Sequence, residues 1–240
     1  MKLVIDIGNT RAKYAIFQEA KLIKSFNSSH DDLPIELEGV LQQYQNIKIG
    51  IVADVTNKGK NLLEGVSKVQ LKYLNHDTPI PFNNEYTTPK TLGLDRIALA
   101  SAAATQYPHQ NVLVIDAGSC ITFDLINSEK SFLGGAISPG IAMRYRAMSE
   151  FTASLPHLKP EVLKTLIGKS TTDAIHLGVI TGVVAEIKSQ IERFSQQFEN
   201  LTVILTGGDA EFLFNQLKSG IFVRQNFLLD GLNAILDYNT

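Results

Sequence analysis

The chain opens on three short runs whose apolar residues alternate or cluster as in strands, at 2–7, 13–17 and 21–26. Helical spacing follows at 35–45, after which "IKIGIVADV" reads as a buried strand and "LKYLN" as another. Residues 75–92 carry three prolines among many turn formers and read as a loop. An irregular stretch of that length inside a compact domain is usually functional. It leads into "GLDRIALASAAATQY", an alanine-rich helix with small residues on every face, suited to close packing. The second half starts with strand, turn and strand at 114–126 and a third strand at 131–137. A helix is expected after Pro139-Gly140, another near 160–167, and a long amphipathic one from about Thr172 to Gln197, whose end "QIERFSQQFEN" reads as a solvated face. "LTVILTGGDAEFLFNQL" predicts a buried strand, a Gly-Gly turn and a helix; "IFVRQ" and the helix "LLDGLNAILDY" close the chain.

The second half repeats the first. "VIDAGSCITFDLI" aligns with "VIDIGNTRAKYAIF" at an offset of 110, pairing Val4 with Val114, Ile5 with Ile115, Asp6 with Asp116 and Gly8 with Gly118. Each copy is strand, Asp-x-Gly turn, strand, then a third strand. The shared context favours duplication over a chance match. The pattern predicts two similar α/β domains, 1–105 and 106–240, with a cleft between them.

At 240 residues with 44% hydrophobic and 19% charged positions, the composition is that of an ordinary soluble globular protein. A formal net charge of −2 gives no electrostatic reason to expect nucleic acid or an anionic membrane as partner. The single cysteine, Cys120, cannot form an intrachain disulfide, which suits a reducing compartment, and is read as a small apolar packing residue. Three apolar residues between Lys2 and Asp6 are too few for a signal peptide, and no apolar run approaches the ~18 residues of a membrane span. A cytoplasmic protein is expected. The five histidines (30, 76, 109, 157 and 176) show no pair at metal-ligand spacing, so no zinc site is expected.

The first hairpin gathers Asp6, Gly8, Asn9, Thr10, Arg11 and Lys13 around one tip. Gly8 lets the backbone approach a ligand, so that amide N–H groups can meet phosphate oxygens. Asn9 and Thr10 add donors, while Arg11 and Lys13 add positive charge. Asp6 would repel a bare phosphate but is attractive beside a divalent cation or its water shell. The plain alternative is a decorated turn. Asp95 and Arg96 begin the alanine-rich helix, where an aspartate favours the macrodipole but an arginine does not. A carboxylate able to take a hydroxyl proton, beside a guanidinium able to grip a carboxylate, suits the acceptor site of a kinase. Gly207 and Gly208 would let a flat adenine lie against the backbone, or simply form a turn capped by Asp209. "IGKST" at 167–171 mimics a P-loop, but Leu163 stands where that loop needs glycine, and a helical pattern precedes it in place of a strand.

Paired Asp-x-Gly hairpins in duplicated domains resemble the acetate and sugar kinase, hsp70 and actin superfamily. The detailed pattern is similar to that of the type III pantothenate kinases: "DIGNTRAK", "YTTPKTLGLDR", "DAGSCITFD", "GGAISPG", "GKSTTDAI" and "LTGGDA" follow in that family's order across the chain. The Asp-x-Gly turns alone are weakly specific; the ordered set is strong. The resemblance implies two duplicated actin-like (ribonuclease H-like) domains with an interdomain cleft. It implies ATP-dependent phosphorylation of pantothenate to 4′-phosphopantothenate, the first step of coenzyme A biosynthesis. ATP would be held by Asp6, Gly8, Asn9, Thr10, Arg11, Lys13, Ser119, Gly207 and Gly208. Pantothenate would be held by Tyr86, Gly93, Leu94, Asp95, Arg96 and Thr171, with Asp95 as the base. Asp116 would bind potassium or ammonium, and Asp6 would approach magnesium, through water if not directly. The chain departs from the family's common Gly-Thr-Ala by reading Gly118-Ser119-Cys120, which keeps a hydroxyl donor.

Thr171 has a plain reading as helix N-cap. The resemblance implies a homodimer in which Thr171 reaches the partner's pantothenate. The apolar face of "AIHLGVITGVVAEI" looks too wide for one small domain to cover. Two alternatives stay open: another small-molecule kinase of the superfamily, or a non-catalytic regulatory relative. Retention of Asp6, Asp95, Arg96 and Asp116 disfavours the second.

Overall fold

In the computed structural model, which describes residues 1–56, 58–66, 68–217 and 220–240, the first hairpin lies at the centre of a five-stranded sheet. β1 (Lys2–Ile7) pairs antiparallel with β2 (Ala12–Gln18), and β2 antiparallel with β3 (Lys21–Ser28). On its other side β1 runs parallel to β4 (Ile49–Asp54), which runs parallel to β5 (Gln70–Tyr73), giving the order β3-β2-β1-β4-β5. Helix α1 (Leu33–Gln43) buries Leu33 and Leu37 with Leu3, Ile5 and Ile7 of β1 in one apolar cluster. Tyr14 joins that cluster, stacks on Phe26 at 4.7 Å and donates to Glu36 at 3.2 Å. Burial, and then the Glu36 carboxylate, push its pKa up to about 12, so it remains a donor. The single turn α2 (Gly59–Leu62), held by the Asp54 carboxylate, has no counterpart in the sequence reading. The 75–92 loop contains β6 (Asn83–Asn84), paired with Ser131 and Phe132, and a 3-10 turn at Pro89–Thr91.

The chain divides into two compact units. The first is Met1–Pro108 with Glu129–Leu133 and Asn226–Thr240; the second is His109–Ser128 with Gly134–Gln225. α3 (Leu94–Gln106) buries every residue from Arg96 to Ala104. Its small residues serve the close contact that the composition foretold.

The second sheet has six strands, of which β6 is one, and five of them repeat the order of the first. β7 (Val112–Ala117), β8 (Cys120–Ile126), β9 (Ser131–Pro139), β10 (Thr202–Thr206) and β11 (Ile221–Val223) stand in the order β9-β8-β7-β10-β11. β7 and β8 are antiparallel, while β7, β10 and β11 are parallel, as in the first unit. Five strands in the same order, four of them also paired in the same sense, are strong support for duplication. The core of this unit sets Leu113, Ile115, Phe123 and Leu125 against Tyr145 of α4 (Ile141–Glu150) and the inner face of α5 (Thr171–Gln197).

Three expectations fail here. The 160–167 segment is irregular, following Pro156 and Pro160; Leu166 and Ile167 are 94% and 69% exposed, so no packed face stabilises a helix. Ile175, Val179, Ile180, Val183 and Ile187 of α5 are buried in the core of their own unit, while Leu177, Val184, Ile191 and Phe194 are partly exposed, so the unit itself covers much of the face for which a partner helix is expected. α5 is also long and apolar enough to cross a membrane by length and composition, with a window hydropathy of 1.2, which the search for apolar runs overlooked. Its buried residues belong to the core of the second unit, and 33% of that window is buried. α6 (Ala210–Leu217) follows β10, and α7 (Phe227–Tyr238) belongs again to the first unit. There α7 lies so close on α3 that a Cβ at Gly231 would strike the carbonyl oxygen of Ala98.

Candidate functional site

In the first hairpin Asp6 and Lys13 stand directly opposite in the β1–β2 register, so their side chains leave the same face of the sheet. Both are half-buried, whereas Asn9, Thr10 and Arg11 at the tip are exposed. The tip is closed by the Gly8 N–H, which donates to the Arg11 carbonyl at 3.1 Å. A Cβ on Gly8 would sit 3.2 Å from that carbonyl oxygen. On the other side of the same residue, His30 Nε2 donates to the Gly8 carbonyl at 2.9 Å. The sequence reading set the histidines aside for want of metal spacing and missed this contact. Only strand order brings residue 30 beside residue 8.

In the second hairpin Asp116 stands opposite Thr122, and Ala117 opposite Ile121. Three residues separate the last paired positions here, against four in the first hairpin, so the offset of 110 falls to 109 beyond the turn. Thr122, not Phe123, is the counterpart of Lys13. Its hydroxyl is buried without a hydrogen-bond partner, on the face that carries Asp116. The turn is braced by backbone: the Gly118 N–H donates to Cys120 at 2.9 Å, and the Gly140 N–H to Ser119 at 3.1 Å. Ser119 is exposed.

The Gly-Gly loop packs against the same hairpin. Gly207 takes a φ of +97°, and a Cβ there would strike both the Ala117 carbonyl and Asp116 Oδ1. Only glycine combines that backbone conformation with so close an approach. The Asp209 N–H donates to the Ala117 carbonyl at 2.9 Å, and burial raises the pKa of the Asp209 carboxyl. Gly208 is exposed and has open space around it. Asp116, Ser119 and Gly207 are thus assembled in the second unit by four strand ends and turns.

Gly93, Leu94, Asp95 and Arg96 stand together at the head of α3. Asp95 Oδ1 accepts the Arg96 N–H at 2.8 Å, and a Cβ on Gly93 would strike that same oxygen. The carboxylate therefore folds back over the helix N-terminus, as the plain reading had it, and remains half-exposed, as is Leu94. Arg96 is only 5% exposed, its guanidinium lying 5.4 Å from the centre of the Tyr86 ring and 5.6 Å from that of Phe132. Two aromatic faces hold the cation and limit the directions in which it can donate. Phe132 carries no signal in the sequence, being one phenylalanine in a strand. Thr171 is the exposed first residue of α5, but the cap is Ser170, whose side chain accepts the Asp173 N–H at 3.1 Å. That corrects the reading of Thr171 as the cap; Ser170 has the extended backbone a cap requires. The "IGKST" stretch runs from irregular chain into a helix, with no strand before it.

The family model of the type III pantothenate kinases matches residues 2–193. A Flavobacterium johnsoniae protein named type III pantothenate kinase is 43% identical over 239 residues, covering 99% of this chain and 98% of that one. Among solved structures, one described as a putative Baf family transcriptional activator from Campylobacter jejuni matches with a TM-score of 0.67 at 26% identity, covering 99% and 98% of the two chains. A ROK family glucokinase from Streptomyces griseus, solved with glucose and AMPPNP, matches with a TM-score of 0.51 at 11% identity over 99% and 98%. The last shows the fold alone, the duplicated actin-like architecture of sugar kinases.

Proposed function

This chain belongs to the type III pantothenate kinase family, and we propose from that premise that it transfers the γ-phosphoryl group of ATP to pantothenate. The product is 4′-phosphopantothenate, and the reaction is the first step of coenzyme A biosynthesis. The observation that carries the reading is Asp95 beside Arg96 at the head of α3, with Tyr86 on the guanidinium. Pantothenate offers a carboxylate and a primary hydroxyl, the two groups this pair suits. Arg96, with Gly93, Leu94 and Tyr86, would fix the carboxylate end, and Thr171 would reach the pantothenate held by the second copy of the homodimer. Asp95 would accept the hydroxyl proton as the oxygen attacks the γ-phosphorus.

Asn9, Thr10, Arg11 and Lys13 would bind and neutralise the ATP phosphates, and Ser119 with Gly207 and Gly208 would hold the nucleotide from the second hairpin. Phosphoryl transfer asks mainly for such positioning and charge neutralisation. Asp6 is a half-buried carboxylate where β1 enters the tip, directly opposite Lys13, and is the proposed contact for magnesium, which keeps water and phosphate among its ligands. Asp116 beside the orphaned Thr122 hydroxyl offers the oxygen donors a potassium or ammonium ion needs. When bound, these ions would reduce the charge of the transferring group.

The same reading takes the protein as a cytoplasmic homodimer acting on small molecules, without nucleic acid or membrane. Exposed Phe151, Leu166 and Ile167 support a covered surface. A coupled assay with ATP, magnesium, potassium and pantothenate tests the function. Pantothenate-dependent ADP formation is expected; ADP formed only with another acceptor, or none at all, would overturn the reading.

A further inference from the structure

We propose that His30 is a positioning residue that aims the first phosphate loop at ATP. The proposal rests on the reading of residues 8–11 as that loop and assigns a function to a side chain outside it. His30 lies 22 residues from Gly8, yet the β2–β3 register sets Ser28 beside Ala12, at the exit of the tip, and the chain turns there toward α1.

That turn is firmly made. Ser28 is buried and donates to the Ser29 carbonyl at 3.0 Å; Ser29 Oγ donates to Asp32 Oδ2 at 2.6 Å and accepts the Asp32 N–H at 3.1 Å. The Leu33 N–H donates to the Ser29 carbonyl at 3.2 Å, and Leu33 itself is fully buried. A histidine on so constrained a turn is a fixed donor. It delivers one hydrogen bond, Nε2 to the Gly8 carbonyl at 2.9 Å.

The consequence follows from the planarity of the peptide group. In a trans peptide the C=O and the N–H of the next residue point in opposite directions. With the Gly8 carbonyl turned toward His30, the Asn9 N–H is turned away from it, on the exposed tip. An amide N–H so directed is the donor a phosphate oxygen requires, and it needs no side chain of its own to be aimed. The Gly8 N–H is already committed to Arg11. Without His30 the Gly8–Asn9 peptide can rotate, and part of the nucleotide affinity is spent in restoring it.

The test is a comparison of His30→Ala and His30→Gln in the full-length enzyme, with both KM values, kcat, calorimetric binding of AMPPNP and the melting temperature. His30→Ala should raise the KM for ATP and weaken AMPPNP by about five- to tenfold, the scale of one hydrogen bond. The KM for pantothenate and the melting temperature should hold, and His30→Gln, which keeps a donor, should recover most of the loss. Unchanged ATP KM and AMPPNP affinity in His30→Ala would overturn the proposal. So would a parallel rise in both KM values with a fall in melting temperature, which marks a merely structural role. A wild-type protein that binds no AMPPNP would instead overturn the reading of the loop itself.

Discussion

The two Asp-x-Gly hairpins occupy the same place in sheets of the same strand order, yet they are held in shape by different means. The first has the longer tip, with three exposed polar residues, and is pinned at one carbonyl by the His30 side chain. The second has the shorter tip and is packed by backbone from Gly140, Gly207 and Asp209. The residue facing the aspartate differs as well: a lysine in the first, a buried hydroxyl in the second. Duplication kept the scaffold and the carboxylate, while the surroundings diverged. One hairpin became an exposed cationic loop; the other became a tightly packed oxygen-lined turn. The first suits phosphate charge, and the second suits a small cation and the backbone side of a nucleotide.

The largest effect should come from a residue in neither hairpin. If the hairpins only hold ATP, the charge of Asp95 governs turnover, and Asp95→Asn should lower kcat by about 10²–10⁴-fold. AMPPNP affinity, measured by calorimetry, should stay near that of the wild type. An active Asp95→Asn variant would reduce Asp95 to a helix-end residue, consistent with its bond to the Arg96 N–H.

Next in size is the ion response, which should separate the two aspartates. The wild type should be slow in sodium-only buffer and recover with potassium or ammonium. Asp116→Ala should lose that response, with a loss of ion affinity on the order of 10–100-fold or more. Asp6→Asn should keep it while needing more magnesium. Equal rates in sodium and potassium for the wild type would remove the ion from the second hairpin.

The third contrast concerns packing. A Cβ on Gly140 would lie 2.6 Å from the Ser119 carbonyl oxygen and 2.9 Å from its carbon, whereas one on Gly8 meets nothing nearer than 3.2 Å. Overpacking of the first kind costs about 1–3 kcal/mol. Gly140→Ala should therefore lower stability in urea unfolding by that amount, and Gly8→Ala by clearly less. Equal losses would mean that the second hairpin can yield as easily as the first.

The repeat itself was legible because strands alternate and because Asp-x-Gly survives in both copies. Turn lengths were not. A fixed offset cannot register that the second tip is one residue shorter, so the match of Lys13 to Thr122 emerges only from the β-ladders. The 160–167 segment has helix-forming residues but nothing to pack against, and burial is a tertiary fact. For the same reason the wide apolar face of α5 suggested a partner chain although its own unit buries Ile175, Val179, Ile180, Val183 and Ile187 of it. Asp95 and Arg96 stood out in the sequence because loop, helix start and residue type coincide, and Tyr86 through the family resemblance alone. Phe132 and His30 escaped because their contacts with Arg96 and Gly8 depend on strands that are distant in sequence.

The smallest effect distinguishes the loops that flank the two hairpins. Beside the first, the Asp54 carboxylate accepts the Thr56 N–H and hydroxyl, both at 2.8 Å, and the Gly59 N–H at 2.7 Å. Beside the second, burial raises the Asp209 carboxyl from its ordinary 3.8. A raised folded-state pKa means that the folded protein binds more protons than the unfolded chain just above that value. Stability then falls as pH rises through the window, and at neutral pH the buried charge is a full cost. Asp209→Asn should accordingly be slightly more stable than the wild type at pH 7. The gain should shrink as pH falls toward about 4, where the unfolded aspartate also begins to take up its proton. Asp54→Asn should go the other way, losing stability at pH 7, because an amide cannot accept from all three donors with its nitrogen. Urea unfolding of both variants between about pH 4 and about pH 8 reads the two signs. A loss for Asp209→Asn that persists at every pH would mean that the α6 N-terminus favours the charge by more than burial opposes it.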